Sequence, residues 1–369
     1  MRMVLITGQS LALATDGDPA LTTAAEHTGL ALQWSGTAIE DAVNTSLERV
    51  LPQLVGGLQE GYTAQEGGSP KVVGWTSAQG GSPYRLIKKR GSDANEIYGK
   101  LINAVGRTQA VAGESLEVVS SHIIHGESDA NESVTQAQYK RNLRAWVRDI
   151  DIDARGRTGQ TSRVRGFGCQ VSSWRLYQTT PTIALAQLDA HRDPRIDFTL
   201  VGPKYQLPYD GGGTGTPHLS NVGYYKLAEL HARAAKRVLI EGVPWYPVCP
   251  KSVTISGSTI TAKFHVPTGS LQFDTTTVAA QTNYGFTAWD DGVEATISSV
   301  SITSSDTVTV ALSSAPTGTV HLGYAYKGGA LTTNWAFGNL CDSETETSGY
   351  DGQPLRNWCV CFYDQATPA

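Results

Sequence analysis

The chain has 369 residues, of which 40% are hydrophobic and 17% charged, so it can build real apolar cores and is not disordered by composition. The net charge of −5 gives no support for a nucleic-acid partner or for an acidic membrane surface. No apolar run approaches the length of a membrane span, and the chain length favours two domains over one.

Short apolar runs alternate with helical patterns up to about Pro247. Strands that alternate with helices predict βαβ units, and therefore a parallel sheet with helices on both faces. The runs that predict strands lie at residues 4–6, 71–75, 116–124 and 198–201. The helical patterns lie at residues 39–54, 95–105, 134–149 and 219–238.

A different texture begins at Pro250, where apolar and polar residues alternate in short runs separated by turns of Gly, Asp, Ser and Pro. This pattern is typical of a small antiparallel β-sandwich. The segment 245–250 contains two prolines and is interpreted as the hinge between the two textures. We therefore predict an α/β domain over residues 1–247 and an all-β sandwich domain over residues 248–369.

The loops that follow the strands hold the candidate chemistry, because ligands of an open parallel sheet bind beyond the carboxyl ends of its strands. After the first strand, Gly8 permits a tight turn and Ser10 is placed to present its hydroxyl at the start of a helix. After the second strand, Gly80 and Gly81 allow a backbone N–H to approach a ligand closely, as an oxyanion donor must.

The third strand carries two histidines, and the last loop carries another. His122 and His125 are three residues apart on a strand and face opposite sides, so they do not predict a metal site. Asp210 and His218 share one loop directly before a helix. A carboxylate can fix the tautomer of an imidazole while the other ring nitrogen accepts a serine proton, so these residue types at successive strand ends indicate nucleophilic catalysis.

Four sequence blocks, in this order, resemble the SGNH hydrolases, specifically their branch of sialate O-acetylesterases and acetylxylan esterases. The resemblance spans residues 2 to 240 and implies a flavodoxin-like three-layer α/β/α fold with a parallel sheet. The blocks are Gly8-Gln9-Ser10, Ser77 to Pro83, His125-Gly126-Glu127-Ser128-Asp129, and Asp210 with His218-Leu219-Ser220.

The resemblance assigns roles to the residues of these blocks. It implies that Ser10 is the nucleophile and that His218 is the general base, which later returns the proton to the leaving alcohol. It also implies an oxyanion hole formed by the backbone N–H groups of Ser10 and Gly80. Where the family has a glutamine that donates to the oxyanion, this sequence has His125, whose ring N–H would take over that role.

A carboxylate that orients His218 would complete a Ser–His–acid triad, and the sequence offers more than one candidate for it. Many relatives have the aspartate three residues before the histidine, where this chain has Gly215. We favour Asp210, eight residues before His218, as the acid. Glu127 is the alternative, because relatives sometimes give that role to the glutamate of the third block, and a Ser–His dyad is a further option.

Together these features predict a serine esterase that removes O-acetyl groups from a carbohydrate through an acetyl-enzyme, with no metal and no organic cofactor. The alternative is a non-catalytic carbohydrate-binding or adhesin module on a degenerate esterase scaffold. The expected partner is an acetylated carbohydrate, with neither nucleic acid nor membrane insertion.

The second domain weakly resembles β-sandwich modules that follow such esterases in phage tail and bacterial surface proteins. A phage-tail origin would imply a homo-oligomer, specifically a trimer. We favour an extracellular, cell-surface or virion location, although the first strand is too short for a signal-peptide core. In such a location the sequence allows a disulfide between Cys341 and either Cys359 or Cys361, but it does not decide whether one forms.

Overall fold

A seven-stranded sheet forms the centre of the first part of the computed structural model, which describes residues 1–213, 215–327 and 337–369. Its strands are β1 (Arg2–Gly8), β2 (Ala31–Trp34), β3 (Ile39–Asp41), β4 (Val72–Ala78), β5 (Glu117–Ile124), β6 (Arg165–Gly168) and β7 (Phe198–Leu200). Their order across the sheet is β3-β2-β4-β1-β5-β6-β7. All neighbours pair in parallel except β3, which is antiparallel to β2 at one edge.

The side chains of β1 show that both faces of this sheet are buried. Successive residues of a strand point to opposite faces. Met3 and Leu5 belong to one buried apolar cluster, whereas Val4 and Ile6 belong to another. A continuous apolar run is what a parallel strand covered on both faces requires, and this explains the start of the sequence.

Helices cover the two faces within the described residues. They are α1 (Ser10–Leu13), α2 (Val50–Glu66), α3 (Tyr84–Ile87), α4 (Ile97–Val111), α5 (Glu127–Asn131), α6 (Gln136–Thr158), α7 (Thr182–Arg192) and α8 (Asn221–Leu239). Buried side chains of α1, α2 and α8 join the cluster of Val4, and those of α3 to α7 join the cluster of Met3. None of these helices is long and apolar enough to cross a membrane. The first part of the chain is therefore a mixed α/β structure around a sheet that is mainly parallel.

The sequence predictions of helices at 95–105, 134–149 and 219–238 correspond to α4, α6 and α8. The predicted helix over residues 39–54 is wrong, because β3 occupies its start and α2 begins only at Val50. Between them the backbone bonds to another segment: the Asn44 N–H donates to the Thr22 carbonyl, and the Glu48 N–H donates to the Gly17 carbonyl. These long-range bonds replace the local ones that a helix would need. The short strands β2 and β6 were not predicted.

Three further sheets, largely antiparallel, follow α8 within the described residues. Their strands are β8 (Cys249–Ser256), β9 (Thr259–His265), β10 (Leu271–Phe273), β11 (Phe286–Asp290), β12 (Val293–Ala295), β13 (Ile297–Ser304), β14 (Thr307–Leu312), β15 (Val320–Tyr324), β16 (Leu340–Asp342), β17 (Phe362–Gln365) and β18 (Thr367–Pro368). Their orders are β13-β14-β9-β8-β18, β12-β11-β15-β17 and β10-β16. The change of texture predicted after residue 247 falls between α8 and β8.

The two parts of the chain share buried contacts, so their division into separate domains stays a prediction. The Gln170 amide donates to the Cys361 carbonyl at 2.9 Å and accepts from the Cys361 N–H at 2.7 Å. The Tyr205 hydroxyl donates to the Cys359 carbonyl at 2.7 Å. All five cysteines are buried and free, so neither Cys359 nor Cys361 is bonded to Cys341.

A fully buried pair of histidines joins β5 to α8. The Nδ1 atoms of His122 and His231 lie 2.8 Å apart, and Nε2 of His122 lies 3.1 Å from the Ser120 hydroxyl. Burial lowers the pKa of His122 well below its usual value and that of His231 to about 3. Both rings are therefore neutral near pH 7, and one donates its Nδ1 proton to the other.

This pair predicts that the free energy of unfolding falls as the pH drops below about 6.5. Below that pH the two histidines bind protons in the unfolded chain but stay neutral in the folded chain. The free energy of unfolding therefore decreases as the pH falls from about 6.5 toward about 3, the pKa of His231 in the folded chain. The slope approaches roughly 2.7 kcal/mol per pH unit for two histidines. Urea denaturation between pH 7.5 and 5, in the range where the fold persists, measures it. In the variant His122→Phe/His231→Leu the free energy of unfolding should depend much less on pH in this range. An unchanged slope would show that the histidine pair does not cause the pH dependence.

Candidate active site

Ser10 lies at the carboxyl edge of the sheet, where β1 ends and α1 begins. The turn between them depends on Gly8, whose φ of +148° is open to glycine alone. A Cβ atom at Gly8 would also collide with the Ile124 carbonyl of the neighbouring strand. This close approach of β1 and β5 places the Ser10 hydroxyl beyond the end of the central strand.

His218 approaches the same edge from the loop that precedes α8. Its backbone carbonyl accepts from the Asp210 N–H at 3.1 Å, which closes the loop between these two residues. Two residues later Ser220 caps α8, with its hydroxyl accepting from the Gly223 N–H at 3.3 Å. The imidazole is therefore held between a closed loop and a capped helix, with 19% of the side chain exposed.

Three side chains form a continuous hydrogen-bonded chain at this edge. Nε2 of His218 lies 2.8 Å from Oγ of Ser10, and Nδ1 of His218 lies 2.7 Å from Oδ2 of Asp16. An ionised carboxylate only accepts, so Nδ1 carries the proton and Nε2 is free to accept from the serine hydroxyl. This is the geometry of a nucleophile, a base and an orienting acid.

Asp16, which the sequence reasoning missed, reaches His218 because the chain turns back after α1. Ala14 and Asp16 have φ values of +59° and +67°, in the left-handed region that few non-glycine residues adopt. The turn is anchored from two sides: the Tyr224 hydroxyl donates to the Thr15 carbonyl at 3.0 Å, and the Glu48 N–H donates to the Gly17 carbonyl at 2.8 Å. Such strained backbone at a polar site is a known mark of functional loops.

Asp210 and Glu127, the two candidates for the acid, do not contact the imidazole. The Asp210 side chain is exposed and makes no hydrogen bond or ion pair within the described residues. Its contribution to the loop is the backbone N–H, which donates to the His218 carbonyl. Glu127 is buried and bonds to Lys204 and Ser173. Both assignments are corrected in favour of Asp16, whose carboxylate occupies the Nδ1 side of the ring.

The loop after β4 brings Gly80 next to Ser10. A Cβ atom built on Gly80 would lie 3.8 Å from Cβ of Ser10, at ordinary van der Waals distance. In the part of the chain that the structure describes, no acceptor pairs with the N–H of Ser10 or of Gly80. Two unpaired N–H groups beside a serine hydroxyl are suited to an oxyanion, although this role stays a prediction.

His125 is not available as an oxyanion donor, and that prediction is wrong. Its Nε2 lies 3.0 Å from the Ser82 carbonyl, which only accepts, so this nitrogen carries a proton that is already used. Its Nδ1 lies 3.0 Å from the Tyr139 hydroxyl, and the ring packs edge-on against Trp146 at 5.1 Å. His125 is buried, and its hydrogen bond to the Ser82 carbonyl stabilises the loop that carries Gly80.

Two further side chains connect the loops around Ser10. The buried Gln9 side chain accepts from the N–H groups of Gly126 and Ser128 at 3.3 and 3.1 Å. Asp129 accepts from the Tyr84 N–H at 2.7 Å, which ties the third block to the loop of Gly80. Gln9 and Asp129 lie inside the sequence blocks already recognised, so their positions were available from sequence but their bonding was not.

Comparisons with known proteins found solved structures of similar fold, at low sequence identity. No family model matches the chain, and no curated protein matches its sequence. A solved structure of a carbohydrate acetylesterase from Xanthomonas citri is similar with a TM-score of 0.60 and 15% identity, over 98% of this chain and 80% of that chain.

A protein from Arabidopsis thaliana has a TM-score of 0.50 and 14% identity, over 64% of this chain and 98% of that chain. A carbohydrate acetylesterase from Sinorhizobium meliloti has a TM-score of 0.36 and 12% identity, over 64% of this chain and 98% of that chain. At 15% and 14% identity, the similarity to the Xanthomonas citri and Arabidopsis thaliana structures shows a shared fold.

Proposed function

We propose that the protein is a serine esterase that removes acetyl groups from a carbohydrate. The observation that carries this proposal is the hydrogen-bonded chain from Ser10 through His218 to Asp16. The alternative of a degenerate, non-catalytic scaffold would be favoured if His218 had no orienting carboxylate, as its distance in sequence from Asp210 suggested. Asp16 removes that reason, because the imidazole has an orienting carboxylate after all.

Acylation would begin when Oγ of Ser10 attacks the ester carbonyl carbon while its proton passes to Nε2 of His218. The tetrahedral intermediate collapses as the C–O bond to the sugar breaks, and the imidazolium returns the proton to the departing sugar oxygen. Water, deprotonated by the same nitrogen, then attacks the acetyl-serine; the bond from the acyl carbon to Oγ breaks, acetate leaves, and Nε2 returns the proton to Oγ of Ser10. Asp16 keeps the ring oriented and stabilises the imidazolium in both steps.

The negative charge of each tetrahedral intermediate would be held by the N–H groups of Ser10 and Gly80. A preorganised donor of this kind contributes about 3 kcal/mol to lowering the barrier. The His125 contact with the Ser82 carbonyl supports this arrangement, since it fixes the loop that carries Gly80.

Two observations support the finer assignment. The strands β4-β1-β5-β6-β7, renumbered in chain order, follow the 2-1-3-4-5 pattern of flavodoxin-like sheets, as expected for an SGNH hydrolase. The similarity in fold to a protein described as a carbohydrate acetylesterase favours an acetylated carbohydrate over a long-chain ester.

The proposal is tested on the wild-type protein with 4-nitrophenyl acetate and with diethyl 4-nitrophenyl phosphate, which phosphorylates activated serines. We expect acetate release between about pH 6 and 9, where a histidine base works. We also expect one diethylphosphoryl group per chain, located by mass spectrometry on the peptide containing Ser10. The exposed Ser35 offers a control, since Ser35→Ala should react normally while Ser10→Ala should neither hydrolyse nor label. A wild-type protein that does neither would overturn the proposal.

A further inference from the structure

The sheet β12-β11-β15-β17 carries aromatic side chains on the face opposite its core. Residues directly opposite each other in antiparallel strands point to the same face of a sheet, and so do residues two apart along a strand. Trp289 pairs with His321, and Gly323 pairs with Tyr363, so these four positions share one face. The side chains of the other face are buried; they are Phe286, Ala288, Leu322, Tyr324 and Phe362.

Four rings meet on the outer face: Trp289, His321, Tyr326 and Tyr363, which we call the aromatic platform. Tyr363 stacks on His321 and on Tyr326, with ring centroids 4.7 and 4.5 Å apart. The indole of Trp289 lies 5.0 and 5.1 Å from the two tyrosine rings, at 76° and 70° to them. A Cβ atom at Gly323 would lie only 2.7 Å from Cζ3 of Trp289, so the indole occupies space that this glycine leaves open. All four side chains of the platform are partly exposed in the structure as described.

The outer face of a solvated antiparallel sheet ordinarily carries polar side chains. The sheet β13-β14-β9-β8-β18 follows this rule: Thr309 pairs with Thr261 and Thr307 with Lys263, and all four side chains are at least partly exposed. The platform breaks the rule, although the core on the other side of its sheet already has its own aromatic side chains. Rings that the core does not require, and that stay accessible, indicate contact with a ligand.

The side chains at the border of the platform indicate which ligand fits. Glu294 pairs directly with Trp289, so its carboxylate lies on the same face, where it forms an ion pair with Lys327. Gln365 pairs with His321 and adds an exposed amide. A neutral sugar matches this set, because its C–H face packs on a ring while its hydroxyls donate and accept. A nucleic acid does not, because it requires unpaired positive charge.

The size of the platform argues against a second copy of this chain as the ligand. Its residues lie in two rows across four strands, which corresponds to roughly 14 Å by 7 Å, or about 100 Å². A stable protein interface buries about 800 Å² on each partner. A surface of the platform's size instead suits a short stretch of an extended glycan chain.

We propose that the aromatic platform is a non-catalytic binding site for a neutral glycan chain. Within the described residues, no hydrogen bond, ion pair or ring contact joins the platform to Ser10, Asp16 or His218. Binding at the platform therefore needs no turnover, and the inference goes beyond the proposed esterase function. In an esterase, such a site would hold the protein on the polymer that it deacetylates.

The site is tested on the full chain carrying Ser10→Ala, which prevents turnover of the probe. Affinity gel electrophoresis measures binding to four neutral polysaccharides: arabinoxylan, glucomannan, galactan and dextran. We expect at least one to retard the protein. Adding Trp289→Ala should weaken this binding about tenfold, because one stacking surface is lost, whereas Trp289→Phe keeps a smaller ring and should give an intermediate value.

Tyr350→Ala is the matched control, because Tyr350 is an aromatic residue with 45% of its surface exposed that lies outside the platform. This variant should bind like its parent. With Ser10 restored, Trp289→Ala should hydrolyse 4-nitrophenyl acetate within about twofold of the wild-type rate, as expected for a surface position. That readout separates loss of a binding surface from loss of the fold.

The site is overturned if no probe retards the protein, or if Trp289→Ala binds as well as its parent. A dimer in analytical ultracentrifugation that Trp289→Ala dissociates would also overturn it, by assigning this face to a second copy of the chain. Failure of the esterase proposal looks different. In that case the wild-type protein releases no acetate, while glycan binding persists and still depends on Trp289.

Discussion

Replacing Asp16 by asparagine is expected to lower kcat for ester hydrolysis by about 10³- to 10⁴-fold. The carboxylate of Asp16 lies 2.7 Å from Nδ1 of His218 and keeps the ring in the tautomer that leaves Nε2 free. An asparagine amide in its place can donate to Nδ1, which puts the proton on Nε2, where it blocks acceptance from Ser10. The side chain of Asp16 is 42% exposed, so water replaces part of the lost stabilisation and the lower end of the range is included.

The measurement is kcat with 4-nitrophenyl acetate, together with a melting temperature that shows the variant is folded. Asp18→Asn is a matched control in the same loop, because Asp18 is exposed and lies two residues from Asp16. Asp210→Asn is the second control, and both should stay within about twofold of wild type, as for surface positions. A large loss in Asp210→Asn with near-normal activity in Asp16→Asn would reverse the assignment of the acid.

Sequence reasoning located Ser10, Gly80 and His218 because each follows directly from a strand end or precedes a helix. In a parallel sheet the carboxyl ends of the strands meet at one edge, so residues far apart in the chain are brought together there. Spacing along the chain was enough for these residues. Their hydrogen-bond partners required the structure.

Asp16 could not be found in this way. Its sequence surroundings, Thr15-Asp16-Gly17-Asp18-Pro19, are those of an ordinary surface turn. Its carboxylate reaches His218 only because the backbone at Ala14 and Asp16 adopts left-handed angles, and those depend on the distant anchors Tyr224 and Glu48. The available signal was an Asp-Gly pair six residues after Ser10, where the chain returns to the same edge of the sheet.

His125 failed as a prediction for a different reason. The family pattern places a donor at this position, and a histidine has donors, but its ring is larger than a glutamine amide. In this chain both ring nitrogens are occupied by Tyr139 and Ser82, and Trp146 packs against the ring edge-on. The hydrogen bonds of His125 are therefore those of a residue that supports the loop of Gly80.

Glu127 and Lys204 form an ion pair whose disruption is expected to destabilise the fold by about 3–5 kcal/mol. Oε1 of Glu127 lies 2.8 Å from Nζ of Lys204, and each side chain is 1% exposed. Burial alone would lower the pKa of Lys204, but the carboxylate outweighs it and the pKa is raised. Glu127→Gln or Lys204→Met therefore leaves one charge buried without its partner. Whole domains have only about 5–15 kcal/mol of stability, so either loss is severe.

The double variant Glu127→Gln/Lys204→Met separates this structural role from a catalytic one. It buries no charge, so urea denaturation should show most of the lost stability restored relative to either single variant. Because Asp16, and not Glu127, contacts His218, the double variant should keep kcat within about tenfold of wild type. A stable double variant whose kcat has fallen by about 10³-fold or more would instead place Glu127 in the catalytic chain, as the alternative sequence assignment required.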